Sequence, residues 1–300
     1  MRPLNVLRLL LAALCLMSTT VIAEPLAYGV GFRDLYRLDL GSGQQTLIGP
    51  IGYNDVEGLA ISSGGALYGA VDGSADVGVP GATDFLISIN KQTGRGTQVG
   101  QLGSLAGAGP SGQLDYGLAF TCDQRLWLSS NATQQLWEVD RSNGAVRLIG
   151  NTGRSLSGLA GLGDKLYGVS VGDDASLYQV NRETGATTLV GPLGVGPPTE
   201  NVGLDFDADG QLWAVLDPRD FRKPTRVARI NLQTGAATIV SNINFDVGMK
   251  GLAIAPVGGC GSAPGGGLSA TPAIVPVHGP VALWALLLGT LGLAAWRLRD

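Results

Sequence analysis

The stretch "LYRLDLGSGQQTLIG" at residues 35–49 is two short strands around a glycine turn, and it recurs along the chain. "LISINKQTGRGTQVG" follows at 86–100, "LWEVDRSNGAVRLIG" at 136–150, "LYQVNRETGATTLVG" at 177–191 and "VARINLQTGAATIVS" at 227–241. Aligned, the five copies carry Asp or Asn at Asp39, Asn90, Asp140, Asn181 and Asn231. A glycine stands four residues later each time, at Gly43, Gly94, Gly144, Gly185 and Gly235. A hairpin explains both positions: the short polar side chain accepts a backbone N–H two residues on, and glycine takes the positive φ that closes the turn. Ahead of the turn, Leu136, Glu138 and Asp140 alternate with Trp137 and Val139, which is the two-residue period of a half-buried strand.

A second repeat lies between the copies of the first. "GLAISSGGALYG", "GLAFTCDQRLWL", "GLAGLGDKLYGV" and "GLDFDADGQLWA" each give a Gly-Leu start, a turn, and then Leu-Tyr or Leu-Trp. Their opening glycines, Gly58, Gly117, Gly158 and Gly203, recur every 41 to 59 residues. One full unit therefore holds four strands, and four strands at this period mark the blade of a propeller. A fifth Gly-Leu-Ala at Gly251, Leu252 and Ala253 has no Leu-Tyr behind it, while "LAYGVG" at 26–31 is a second strand with no Gly-Leu-Ala before it. The two halves complete each other. The expected fold is all-β: a five-bladed β-propeller whose first blade is closed by the C-terminal inner strand at 251–255, which removes the open edges of a linear array. A β-sandwich or a solenoid is the alternative reading of the same strands. Glycine and alanine suit an innermost strand where five backbones crowd an axis. Leu59, Ile61, Leu118 and Phe120 are then expected to fill the space between blades, and the Leu-Tyr and Leu-Trp aromatics to pack rather than to stack on a ligand.

The two ends read as address labels. Residues 1–23 combine Arg2 and Arg8, the apolar run "LLLAALCLM" and the small residues "VIA" before a cleavage point, as in a signal peptide removed by signal peptidase. The run is shorter than the ~20 residues that span a bilayer, and Leu14 before Cys15 is not the small residue of a lipidation site. The propeller occupies 24–260, a Gly/Ser/Pro linker follows at 261–278, and 279–300 holds the apolar stretch "VALWALLLGTLGLAAW" with Arg297 and Arg299 behind it. This last segment is expected to form one transmembrane helix in the inner membrane, arginines on the cytoplasmic side. A short Pro-containing motif, one apolar helix and a terminal Arg cluster resemble the C-terminal sorting signals read by exosortases of Gram-negative bacteria. The variety is of the Ile-Pro-Thr-Leu type, related to Pro-Glu-Pro, with Val275, Pro276 and Val277 approximating the motif. The resemblance covers the tail alone. It implies a transient anchor on the periplasmic side, cleavage near Pro276 by a sorting protease of exosortase type, and display at the cell surface or secretion.

Composition narrows the function. The 300-residue chain has 47 glycines, a net charge of −4 and a single histidine, His278 in the tail. There is no basic stripe for nucleic acid, and Ser-His-Asp triads, Cys-His dyads and His-rich metal sites are excluded from the folded part. No GxxxxGK or strand-to-helix GxGxxG cradles a phosphate. Cys122 and Cys260 are the two cysteines outside the leader, and an exported chain allows them to pair as a disulfide.

Two polar groupings are candidates for a site. "DFDADG" at 205–210 places Asp205, Asp207 and Asp209 at positions 1, 3 and 5 of a calcium-type loop, although Trp213 and Leu216 stand where positions 9 and 12 need oxygen ligands. The alternative is a plain hairpin turn, in which Asp205 is odd because sister blades carry alanine there. The second grouping comprises Asp55, Glu57, Asp115, Glu200, Asn201 and Lys250, all just ahead of the inner strands. In a propeller those segments converge at one mouth of the channel, and the long loops at 72–83, 101–114, 192–202 and 217–225 emerge on the same face. Such convergence is either a ligand-binding mouth or a solvated acidic rim. Two functions fit: a non-catalytic binding module for a surface glycan, polymer or protein, or a carboxylate-dependent hydrolase of glycosidase type with its site at that mouth. The regular blades favour binding.

Overall fold

Every turn in the repeats reverses the chain, so the strands they connect run antiparallel. The computed structural model describes residues 26–73, 82–103, 105, 115–173, 175–196, 199–220, 222–243, 248–256 and 258–260. These hold twenty strands in five four-stranded sheets. The expected signal peptide, linker, sorting motif and apolar C-terminal stretch lie outside the described residues. Among the described residues no helix is long and apolar enough to cross a membrane.

The sheets are the blades, and the chain visits them in order. Blade 1 contains β1 (Leu26–Gly31), β2 (Asp34–Asp39) and β3 (Gln45–Pro50). Blade 2 contains β4 (Val56–Ile61), β5 (Leu67–Val71), β6 (Asp84–Ile89) and β7 (Gly96–Gly103). Blade 3 contains β8 (Tyr116–Phe120), β9 (Leu126–Ser130), β10 (Gln135–Val139) and β11 (Val146–Asn151). Blade 4 contains β12 (Leu156–Leu162), β13 (Lys165–Ser170), β14 (Ser176–Val180) and β15 (Thr187–Pro192). Blade 5 contains β16 (Thr199–Phe206), β17 (Leu212–Pro218), β18 (Thr225–Ile230) and β19 (Ala237–Ile243). The remaining strand, β20 (Gly251–Ala253), completes blade 1 as its inner strand, pairing antiparallel with β1 in the register Tyr28 to Ala253 and Val30 to Gly251. The five-bladed ring is thus closed by the C-terminal strand, as the repeat count requires.

The recurrent turns form as their chemistry dictates. The N–H of each turn glycine donates to the carbonyl of the Asp or Asn four residues earlier at 2.8 Å, from Gly43 to Asp39 through Gly235 to Asn231. The Asn90 Oδ1 accepts from the N–H groups of Gln92 and Thr93, and Asn181 and Asn231 do the same in their blades. Each blade also carries a β-bulge between its third and outermost strands at the same place, at Leu35/Tyr36, Leu86/Ile87, Leu136/Trp137, Leu177/Tyr178 and Val227/Ala228. A bulge increases local twist and blunts an outer edge against pairing with another chain.

Two rings of close backbone approach join the blades. At the axis, a Cβ on Gly58 would fall 2.7 Å from Leu118 N, on Gly117 2.8 Å from Leu159 N, and on Gly203 2.6 Å from Leu252 N. A Cβ on Gly158 would meet Val202 Cγ1 at 2.8 Å, and one on Gly251 would lie 2.2 Å from Glu57 O, which returns the circuit to blade 2. At the perimeter, Gly49, Gly100, Gly150 and Gly191 of the outermost strands each pack against the turn of the next blade. At the fifth joint Ser241 stands in that position, and its hydroxyl donates to Leu40 O at 2.8 Å. Between the rings the leucines and aromatics fill the interblade layers. Leu118, Phe120 and Leu126 pack with Ala60, and Tyr68 and Tyr167 meet Phe120 and Phe206 edge-on at 5.7 and 5.6 Å. Trp127 and Trp213 are fully buried, so these aromatics serve packing.

Cys122, in the turn after β8, and Cys260, beyond β20, form a disulfide with a Cα–Cα distance of 4.8 Å. It links blades 1 and 3, which are not neighbours in the ring, at the end where the inner strands finish.

The inner ring leaves no room for a methyl group, so Gly251→Ala must displace the backbone of blade 2. Overpacking of this kind costs about 1–3 kcal/mol, and a destabilisation in that range by denaturant titration is expected for Gly251→Ala. A mutant as stable as the wild type would show that the blades are not in backbone contact.

Candidate functional site

The inner strands all start at one end of the axis, and register shifts at Val56/Leu59 and Thr199/Asn201 break the simple two-residue alternation where they begin. Lys250 and Glu57 immediately precede the inner glycines Gly251 and Gly58, while Asp115 and Asn201 stand two residues ahead of Gly117 and Gly203. The structure brings these groups together with Asp55. Lys250 Nζ lies 2.9 Å from Asp55 Oδ1, 3.2 Å from Glu57 Oε1 and 3.6 Å from Asp115 Oδ1. Its ammonium also sits 4.3 Å from the ring centroid of Phe32, an attraction to the ring face. Phe32 itself takes a left-handed φ of 56° in the β1–β2 turn, an uncommon conformation for a bulky side chain. Its carbonyl accepts the N–H of Val56 at 2.7 Å, tying that turn to the start of β4.

Most of the cluster is closed from solvent: Asp55 is 3% exposed, Glu57 1%, Asn201 3% and Lys250 8%, while the Asp115 side chain is 17% exposed. Each carboxylate is matched by donors. Glu57 Oε2 accepts the backbone N–H of Tyr116 at 2.7 Å. Ser157, at the equivalent position of blade 4, accepts from Val202 N at 3.0 Å, so the residue before the inner glycine is an interblade acceptor in both. Asp115 Oδ2 accepts from Asn131 Nδ2 at 2.6 Å, and the Asn201 amide, oriented with its NH2 toward Asp115, lies 2.5 and 2.7 Å from the two carboxylate oxygens. Glu200 stands apart. It pairs with Arg219 at 3.0 Å on the exposed rim.

Four buried side chains at this end, Tyr116, Asp84, Thr225 and Asp217, were not among the sequence candidates. Tyr116 OH donates to Asp84 Oδ2 at 2.6 Å, Gly73 N donates to Asp84 Oδ1 at 3.0 Å, and Thr225 Oγ1 donates to Asp217 Oδ1 at 2.7 Å. Asp84 and Asp217 begin or end the middle strands, where an aspartate reads like an ordinary turn residue, and the sequence offers no stronger signal for them. Burial raises the carboxyl pKa of Asp55 against the opposing charge of Lys250, raises that of Glu57 further, and lifts Asp217 to about 6. For Lys250, burial acts to lower its pKa, but Glu57, Asp55 and Asp115 outweigh it and hold the ammonium strongly protonated.

The "DFDADG" segment lies at the opposite end. Asp205 turns into the protein and accepts Ile254 N at 2.7 Å and Phe206 N at 2.8 Å. It therefore holds the segment that follows the closing strand, which accounts for an aspartate where sister blades have alanine. Asp207 accepts Trp213 Nε1 at 2.8 Å and the N–H groups of Asp209 and Gln211 at 3.0 and 2.9 Å, while Asp209 is exposed. Among the described residues no group of three or more His, Cys, Asp or Glu side chains is placed to hold a metal ion.

Replacing Lys250 by methionine would leave buried carboxylates without their cation, a change that costs about 3–5 kcal/mol. Lys250→Met is expected to lose that much stability at pH 7 and to recover part of it in acid, where the carboxylates protonate; urea titrations at both pH values check this. Asp205 gives a second pH signature. Burial raises its pKa from 3.8 to about 7 in the folded state, so the fold holds a proton that the unfolded chain releases. Its contribution is fully present below about pH 4 and is lost as pH rises through about 7. Asp205→Asn keeps an acceptor and should flatten that slope; an unchanged pH profile would count against it.

No family model matches the chain, and no curated protein sequence matches it. Among solved structures, a chain of the nidogen/laminin complex is similar over 78% of this chain and 100% of its own length, with a TM-score of 0.51 and 12% identity. TolB from Acinetobacter baumannii is similar over 74% of this chain at 14% identity and a TM-score of 0.46, and the match spans about half, 54%, of the TolB chain. At these identities the likeness to the nidogen/laminin chain is one of fold, and the chain described here is a β-propeller.

Proposed function

We propose that this protein is an exported, non-catalytic binding module that presents the mouth end of its propeller to a protein ligand. The observation that carries the reading is the division of charge at that end. The inner carboxylates are buried and held by Lys250, Tyr116 N, Asn131 and Asn201, whereas a hydrolytic acid and nucleophile must both reach substrate. Around them the loops leave charges of both signs on the surface. Arg219, Arg222 and Lys223 are exposed beside Glu200 and Asp220, a polar rim of the kind that sets register and specificity in protein recognition. The fold is shared with a chain of the nidogen/laminin complex, itself an assembly of proteins.

Export is supported by the leader-like sequence at 1–23 and by the Cys122–Cys260 disulfide, a bond that persists in oxidising compartments. The tail fits a sorting signal of exosortase type, with the helix at 281–296 as a transient inner-membrane anchor and the cell surface or the medium as destination.

Screening the purified full-length protein against arrays of exported proteins and of glycans tests the proposal. A protein ligand is expected, bound at least tenfold more weakly by Arg219→Glu with Arg222→Glu and unchanged by Arg141→Glu at the opposite end. A loss with Arg141→Glu alone would move the site away from the mouth. Hydrolysis of chromogenic glycosides that disappears in Glu57→Gln would replace the proposal with the hydrolase.

A further inference from the structure

The contacts of Lys250 have a chemical as well as an electrostatic consequence. A primary amine lies 2.9 Å from one carboxylate oxygen and 3.2 Å from another, with its side chain 9% exposed and theirs 5% and 2%. Holding two reacting groups at such a distance replaces an encounter in solution by a step within one molecule. We propose that Lys250 Nζ and Asp55 Cγ condense after folding into an intramolecular isopeptide bond, with Glu57 as the residue that moves the proton.

The reaction balances without any cofactor or oxidant. The ammonium passes one proton to Glu57, and the free amine attacks Asp55 Cγ. A C–N bond forms, a C–O bond of the Asp55 carboxyl breaks, and the oxygen departs as water with two of the hydrogens that Nζ carried. The three neighbouring carboxylates keep the ammonium as the resting form, so the attack runs through the minor form in which the proton has moved. Burial raises the proton affinity of Glu57, which suits it to receive that proton and return it to the leaving oxygen. In bulk water the hydrated ion pair resists condensation. In a site closed to solvent the same charges have lost their hydration, and a neutral amide relieves the cost of keeping them buried.

The surroundings choose the partner. Glu57 Oε2 is anchored by Tyr116 N at 2.7 Å, which fixes the shuttle. Both oxygens of Asp115 are engaged by Asn131 and Asn201. Among the described residues Asp55 is held through its side chain by Lys250 alone, and it presents the nearest carboxylate. Phe32 covers the ammonium at 4.3 Å. The bond would join residues 195 positions apart in sequence, fastening β20 to the loop that enters β4. This inference is independent of the ligand proposed above, since it concerns buried atoms that no ligand touches.

Mass spectrometry of the purified, reduced full-length protein decides it. Once the termini are determined, the wild type is expected to be lighter than its sequence by one water. Proteolysis should release a branched peptide that joins the segments containing Lys250 and Asp55. Asp55→Ala and Glu57→Gln are expected to show full mass and no branched peptide, with circular dichroism confirming that each variant folds. Wild-type peptides recovered unlinked, with no mass deficit, would overturn the proposal even if both variants failed to fold. A branch ending at Asp115, or one formed undiminished in Glu57→Gln, would overturn the roles given to Asp55 and Glu57.

Discussion

Five strands meet around the axis at a separation that excludes even a methyl group, and the remaining architecture answers to that contact. A backbone approach this close is available only where the strands carry glycine, and each inner glycine faces the inner strand of the next blade. The close ring also pools side chains. Residues next to the glycines, Lys250, Glu57, Tyr116 and Ser157, are all buried, and Lys250 and Glu57 meet at the mouth. Only groups that satisfy each other can share such a space, because a buried charge without a partner is far more costly than an exposed one. The ion cluster is thus a consequence of the backbone geometry before it is anything else.

The two ends of the axis close by different physics. At the mouth, Lys250 reaches from blade 1 to carboxylates of blades 2 and 3. Buried pairs of this kind are little screened by salt but respond to protonation. At the other end, Asp205 grips the backbone of Ile254 and a disulfide ties Cys260 to blade 3. That closure depends on the redox state of the compartment rather than on ionic strength. A short inner strand of three residues, β20, is therefore secured on both sides of its own hydrogen bonds.

Much of this was legible because the repeats make registers comparable. The Asp-to-Gly turn spacing gave the hairpins, the orphan half-blades gave the closure by Gly251–Ala253, and the cysteines fell at one end of the axis. Asp55, Glu57, Asp115, Asn201 and Lys250 could be gathered because each stands within three residues ahead of an inner glycine. Glu200 shares that neighbourhood and the offset of Asp55, but a register shift at Thr199/Asn201 interrupts the strand there, and Glu200 pairs with Arg219 on the rim. Asp205 was visible only as an anomaly, since its partner Ile254 lies 49 residues away. The outer glycines, Gly49 to Gly191, end four of the repeats in plain sight, but the turn that each one accommodates belongs to the following blade. Contacts between units leave no trace in the pattern within a unit.

The pairing of β1 with β20 sets the two ends of the described chain side by side. In the register Tyr28 to Ala253, Leu26 and the residues after Ala253 both leave at the end opposite the mouth. A closed ring of like units has no intrinsic first member, so the place where the chain opens is a matter of connectivity rather than of energy. The ring could in principle be cut at another joint and its present ends joined, a circular permutation that keeps every sheet intact. The join at blade 1 has a geometric merit that other cuts through the mouth loops lack. Among the described residues, the loop-bearing face carries neither end of the propeller chain.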